Sequence, residues 1–120
     1  MAVFANLYID QGSSFTSTVT VEDVNDNPVN ITDYTLRGQV RKSYASTTAT
    51  NFSATITDAT NGKFSISLSP TQTGALKAGR YLYDVEVISP GGTVTRVVEG
   101  QVTINPRVTQ PNDFDSPNSP

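Results

Sequence analysis

Two carboxylates, Asp84 and Glu86, stand two residues apart in RYLYDVEV, so an extended chain places both on one face. Paired carboxylates can run acid–base hydrolysis. Arg37 and Arg41 share one face of TLRGQVR by the same alternation. If that segment is the neighbouring strand, the charges become cross-strand partners worth roughly 0.2–1 kcal/mol a pair. The ion-pair reading is the expectation adopted. Tyr81 and Tyr83 point the other way, where they could stack on a sugar ring, but large aromatics on a central strand are expected in the core. Cys and His are both absent, which removes disulfides, thiolate metal sites, Cys nucleophiles and any His base. No phosphate-binding loop and no Ser-based catalytic set is present, so no catalytic residue, cofactor or metal is expected.

The remaining chemical candidate is residues 23–28, DVNDNP. It resembles the calcium-binding linker of cadherins, DxNDNxP, in which carboxylate and amide oxygens serve a hard cation. The resemblance covers six residues and lacks the companion acidic motifs of adjoining repeats. A helix–loop–helix calcium site fails as well, because Pro28 holds the position that needs Gly and Tyr34 the one that needs Glu. The expectation is a polar loop whose Asp and Asn side chains bond their own backbone.

These residues must be positioned by strands. The stretch 76–88, LKAGRYLYDVEVI, turns at Gly79 and then alternates strictly, which marks a central strand. Before it come five more. Val3, Ala5, Leu7 and Ile9 alternate with polar or aromatic residues in the first, and Phe15, Ser17, Val19 and Val21 with threonines in the second. Tyr34 to Val40 forms the third; Phe52, Ala54 and Ile56 mark the fourth, and Phe64, Ile66 and Leu68 the fifth. Asn61-Gly62 between the last two is a hairpin signal. Ser69-Pro70-Thr71-Gln72 reads as a capping box opening a helix of one or two turns. After Pro90-Gly91-Gly92 a seventh strand runs to Ile104. Arg96 falls on its apolar face, so a bulge or sheet end is expected there. The whole reads as an all-β, seven-stranded immunoglobulin-like β-sandwich with one short helix, over residues 1–105, with a barrel as the alternative. Residues 106–120, with four prolines and few apolar groups, read as an extended Pro-rich C-terminal arm.

Composition fits one domain of 120 residues. The net charge of -3 offers no basic excess for a phosphate backbone, so no nucleic acid is expected as a partner. The opening MAVFANLYIDQG has no basic leader region, and no stretch is long enough to span a membrane, so no membrane partner is expected either. Phe4 and Tyr8 lie opposite the apolar stripe of the first strand, where exposed aromatics on an edge make a docking surface. They are the first interface candidates, and Arg107, Val108 and Phe114 of the arm complete the set.

Gly79 and Tyr81 resemble the E–F corner of immunoglobulin domains, with Tyr83 in the place of the usual Cys. Over about the first 108 residues, the succession NLYIDQGSSF, PVNITDYTLRGQVRKSY, SLSPTQTGALKAGRYLYDVEV and GTVTRVVEGQVTINPRVT resembles a family of small virion structural proteins of tailed phages, common in phages of cyanobacteria and other marine bacteria. The opening hairpins are similar to N-terminal domains of some phage baseplate proteins. The resemblance implies a non-enzymatic assembly protein, multi-copy in a virion put together in the host cytoplasm. Its partners would be other virion proteins, the major capsid protein or tail and baseplate subunits. A capsid decoration or cement protein, bound through edge strands and termini, is the expected role. A tail, neck or baseplate protein and a host-surface adhesion module are the alternatives. DVNDNP stands where that family would have an Asp-Gly turn.

Overall fold

A computed structural model describes residues 3–43, 45–46 and 48–108. Two sheets face each other. One has the order β1-β9-β8-β4-β5, with β2 also on β9; the other is β3-β7-β6. The strands are β1 (Val3–Phe4), β2 (Leu7–Asp10), β3 (Phe15–Thr20), β4 (Thr35–Arg41), β5 (Thr50–Asn51), β6 (Ser53–Asp58), β7 (Lys63–Leu68), β8 (Gly79–Ile88) and β9 (Val94–Asn105), with one helix, α1 (Pro70–Ala75). The order β4-β8-β9 against β3-β7-β6 is that of strands C, F, G against B, E, D of an immunoglobulin-like sandwich. The first strand departs from it by pairing parallel with β9 rather than with β3.

Most of the alternating residues predicted to face inward do so; Val3 and Val94, each at the start of its stripe, are instead 60% and 47% exposed. Phe64, Ile66 and Leu68 from β7 meet Tyr81, Tyr83, Val85 and Val87 from β8, with Val98, Val102 and Ile104 from β9. Seven strands become nine segments for two physical reasons. The first strand breaks at Ala5-Asn6, as described below. The fourth changes sheet at Phe52: Thr50 and Asn51 pair with β4, whereas Ser53 onward pairs with β7. Phe52 itself turns into the core, 6.4 Å from Phe15 and 6.0 Å, edge-on, from Tyr83. Ile31, in what reads as an irregular link, is fully buried, and its amide donates to Ala59 O.

Local chemistry sets the turns. Ser69 Oγ accepts from Gln72 N and Gln72 Oε1 accepts from Ser69 N, the reciprocal pair of a capping box. The 59–62 turn closes with Gly62 N donating to Ala59 O. Only Gly62 there is left-handed, and a side chain on it would strike Val21 O and Val29 O. The bulge expected near Arg96 is Val97: Val85 pairs with Val98 and Glu86 with Arg96. Val97 and Val98 are thus both buried, and Arg96 is turned outward.

Tyr81 and Tyr83 are core residues with satisfied hydroxyls. Tyr81 Oη donates to Lys77 O at 2.8 Å, closing the corner before β8. Tyr83 Oη donates to Ala5 O at 2.6 Å, linking the centre of one sheet to the break in the first strand. That break is seated from three more directions. Ala5 N donates to Glu99 O, Asn6 Oδ1 accepts from Gln101 N, and Gly100 leaves room: a Cβ there would lie 2.1 Å from Ala5 O.

Replacing Tyr83 by Phe strands a buried carbonyl, so urea unfolding should show a loss of about 1–3 kcal/mol. The Tyr83 hydroxyl is pushed up to about 12 by burial. The protonated phenol is favoured in the folded state, so its contribution is intact below pH 10 and is lost as pH rises from 10 toward 12. An absorbance titration at the tyrosinate band should show a late-ionising phenol in the native protein that is absent from Tyr83→Phe.

Candidate functional site

The carboxylate pair lies on the open face of the larger sheet. Glu86 pairs in register with Arg37, and the two side chains meet at 2.7 Å. Asp84 is held by Arg96 at 3.3 Å, and Arg96 also reaches Glu99 at 3.7 Å. Arg41, expected as the second partner, instead donates to Gln39 Oε1 and to Ser46 O. The reason is the Val97 bulge, which rotates Arg96 onto the outer face beside Asp84. Arg37 and Arg96 therefore hold both carboxylates in exposed ion pairs, a stabilising role of modest size.

The DVNDNP loop is closed by its own backbone. Asp23 Oδ1 accepts from Asn25 N at 2.8 Å and Asn27 N at 3.0 Å, and Asp23 N donates to Asn27 O. Asp26 adopts a left-handed φ of 63°, which a short polar side chain tolerates. Among the described residues no three His, Cys, Asp or Glu side chains converge as a metal-binding group. What the sequence reading overlooked is Val24, 82% exposed at the crest of this loop. The available signal was one apolar residue inside a polar run.

The surface that stands out is the first strand. Phe4 and Tyr8 are 68% and 69% exposed, on the outer side predicted for them. They pair in register with Glu99 and Thr103. Ala5 N and Gln11 N donate to Glu99 O and Asn105 O. By the alternation of an extended chain, the amides of Phe4, Tyr8 and Asp10 face away from β9 along an open edge. Beside Phe4, a shallow depression is lined by Leu82, Asp84, Arg96 and Gln101. The seat from behind, Tyr83 Oη on Ala5 O, ties this edge to the central strand.

The arm candidates part company with these two. Arg107 N donates to Gln11 Oε1 at 3.3 Å, and its guanidinium lies across Gly12, at the end of the sandwich. Gln11 Nε2 in turn donates to Leu76 O, and Thr73 Oγ1 donates to Ser13 O, so α1, the 11–14 turn and the start of the arm form one packed end. Val108 projects into solvent. Phe114, like residues 109–120 as a whole, lies outside the described residues.

Residues 4–105 match the LtfC-like, beta-sandwich domain family, and the chain belongs to that family. The match shows a β-sandwich family and does not reach the narrower family of small virion proteins that the sequence resembles. Among solved structures, an internalin-like protein of Listeria monocytogenes is similar at 18% identity and a TM-score of 0.43. The similarity covers 87% of this chain and 28% of that one, so the chain spans under a third of that neighbour's length. No curated protein sequence matches.

If the outer-face charges are structural, a double-mutant cycle on Arg37 and Glu86 should give a coupling below about 1 kcal/mol that shrinks in 1 M salt. Larger coupling that persists in salt would mark this pair as desolvated.

Proposed function

We propose that this LtfC-like sandwich is a non-enzymatic structural module of a tailed-phage particle, docked on other virion proteins through its first strand. The observation that carries the reading is the open edge bearing Phe4 and Tyr8, both exposed on a strand that Tyr83 ties to the sheet at Ala5. Rigid aromatic anchors lose little conformational freedom on docking, and a free strand edge adds main-chain hydrogen bonds by strand addition. The phage setting comes from the resemblance of about the first 108 residues to small virion proteins of tailed phages, and the β-sandwich family match agrees with the fold that resemblance implies. The carboxylates a glycosidase-like site would need are tied to arginines, which favours a binding module over a hydrolase.

Within the particle, our reading is a capsid decoration or cement protein in multiple copies on the head, joined to neighbouring capsid subunits by this edge and by the arm. The motive is the distribution of features: the sheet faces are self-satisfied, the edge of the first strand is open, and the Pro-rich sequence of 109–120 has few apolar groups for a core of its own. The setting is the assembled virion, with no nucleic acid or membrane contact.

Dissociating particles and assigning the chain to the head or the tail fraction tests the placement; recovery with tails would move the module there. The Phe4→Ser, Tyr8→Ser double variant should fold with an unchanged melting temperature, and its incorporation should fall at least about tenfold, equivalent to ~1.4 kcal/mol of docking energy. Full incorporation of a folded double variant would refute the edge as the docking surface. Deleting residues 109–120 should leave the monomer folded and weaken incorporation.

A further inference from the structure

The two ends of the sandwich carry opposite charge. At one end lie the 22–28 loop, the 29–34 link and the 59–62 turn. Glu22, Asp23, Asp26, Asp33 and Asp58 are all exposed there, with Lys63 as the one cation among the described residues at that end. At the other end β4 finishes, β8 begins and β9 runs into the arm. That end holds Arg41, Lys42, Lys77, Arg80 and Arg107, with Asp10 as the one described acid. Between them, Arg37 and Arg96 are consumed by Glu86, Asp84 and Glu99. The protein's net charge of -3 conceals this separation.

Each end also carries apolar surface beside its charges. Val24 stands out from the acidic end, 82% exposed and flanked by Asp23 and Asp26. The basic end has a groove of mixed polarity: Ala49, Ala75, Leu76 and Tyr81 give it an apolar part, Ser46, Thr48 and Thr50 a hydroxyl-bearing part, and Lys42 and Lys77 stand on its lining. Lys42 Nζ sits 4.8 Å from the centre of the Tyr81 ring. Among the described residues Lys42, Lys77 and Arg80 meet no carboxylate. β8 alone has 10 residues, so the ends lie roughly 30 Å apart. That exceeds the screening length of ~8 Å at physiological salt, so each end acts as a separate charge.

We propose that copies of this chain dock end to end, the acidic loop of one sandwich seated on the basic groove of the next, with Val24 as the apolar contact. The partner is a second copy because this chain supplies both halves of the match: a lysine-bearing groove with an apolar part at Leu76 and Tyr81, and a single apolar residue between two carboxylates. Such a contact is heterologous, so it propagates into rows or closes into rings rather than stopping at a dimer. One contact is weak at physiological salt, and repetition along an assembly strengthens it. The inference rests on charge placement and not on the place proposed for the module in a particle.

Sedimentation velocity of the full chain tests it. At 10 mM ionic strength the sedimentation coefficient should rise with protein concentration, and the association constant should fall at least tenfold at 300 mM. A Lys77→Glu, Arg80→Glu variant and a Glu22→Lys, Asp26→Lys variant, the latter leaving the loop-closing Asp23 in place, should each remain monomeric at low salt with unchanged circular dichroism. Mixing the two should restore association, since each then presents the charge the other lacks. A wild type that stays monomeric at low salt up to about 1 mM overturns the proposal. So does association that survives either reversal, or a mixture that stays monomeric. Binding of polyglutamate through Lys77 and Arg80 by an otherwise monomeric wild type would assign the basic end to a different acidic partner and also overturn it.

Discussion

The hydrogen bond from Tyr83 Oη to Ala5 O holds the architecture at its least regular point. The first strand pairs parallel to β9, in two short pieces, on an edge where parallel pairing is slightly less stable per residue than antiparallel pairing. Something must hold the break between the pieces. A buried phenol reaching the carbonyl at the break does so, and Gly100 lets that carbonyl approach. In a chain without cysteine, Tyr83 stands where immunoglobulin domains place a disulfide half, and it links the central strand to the edge through a hydrogen bond instead.

Around that link the core is aromatic and continuous. Phe15 in the smaller sheet, Phe52 at the sheet crossing and Tyr83 in the larger sheet form a chain of ring contacts from one layer to the other. Edge-to-face contact of this kind adds about 0.5–1.5 kcal/mol beyond area burial. Helix α1 caps one end, where Thr73 and the Leu76 carbonyl bind the 11–14 turn. Faces and core are thereby satisfied internally. The edge of the first strand and the two oppositely charged ends are the surfaces left for partners.

Most of the fold was legible because alternation reports burial directly. Strand positions, the capping box, the Tyr81 corner and the need for a bulge near Arg96 all follow from local spacing. The candidate site was legible in part. Phe4 and Tyr8 were identified by facing away from the apolar stripe, and Arg37–Glu86 by shared alternation. The pairing of Arg96 with Asp84 was not, because the bulge changes which residues face outward only after its position is known. Ile31 was missed because a buried residue in a link has no period to betray it. Val24 was absorbed into a calcium-like motif whose carboxylate instead binds its own loop.

The sequence by itself determined the all-β class, the strand faces, the turn geometry and the absence of thiol and imidazole chemistry, since each depends on residue type and near-neighbour spacing. Tertiary structure alone decided three things. It paired the first strand parallel to β9, it moved the chain between sheets at Phe52, and it gathered acids and bases at opposite ends. Each depends on contacts between residues far apart in the chain, and local alternation reports which face a residue takes but not which strand it will meet.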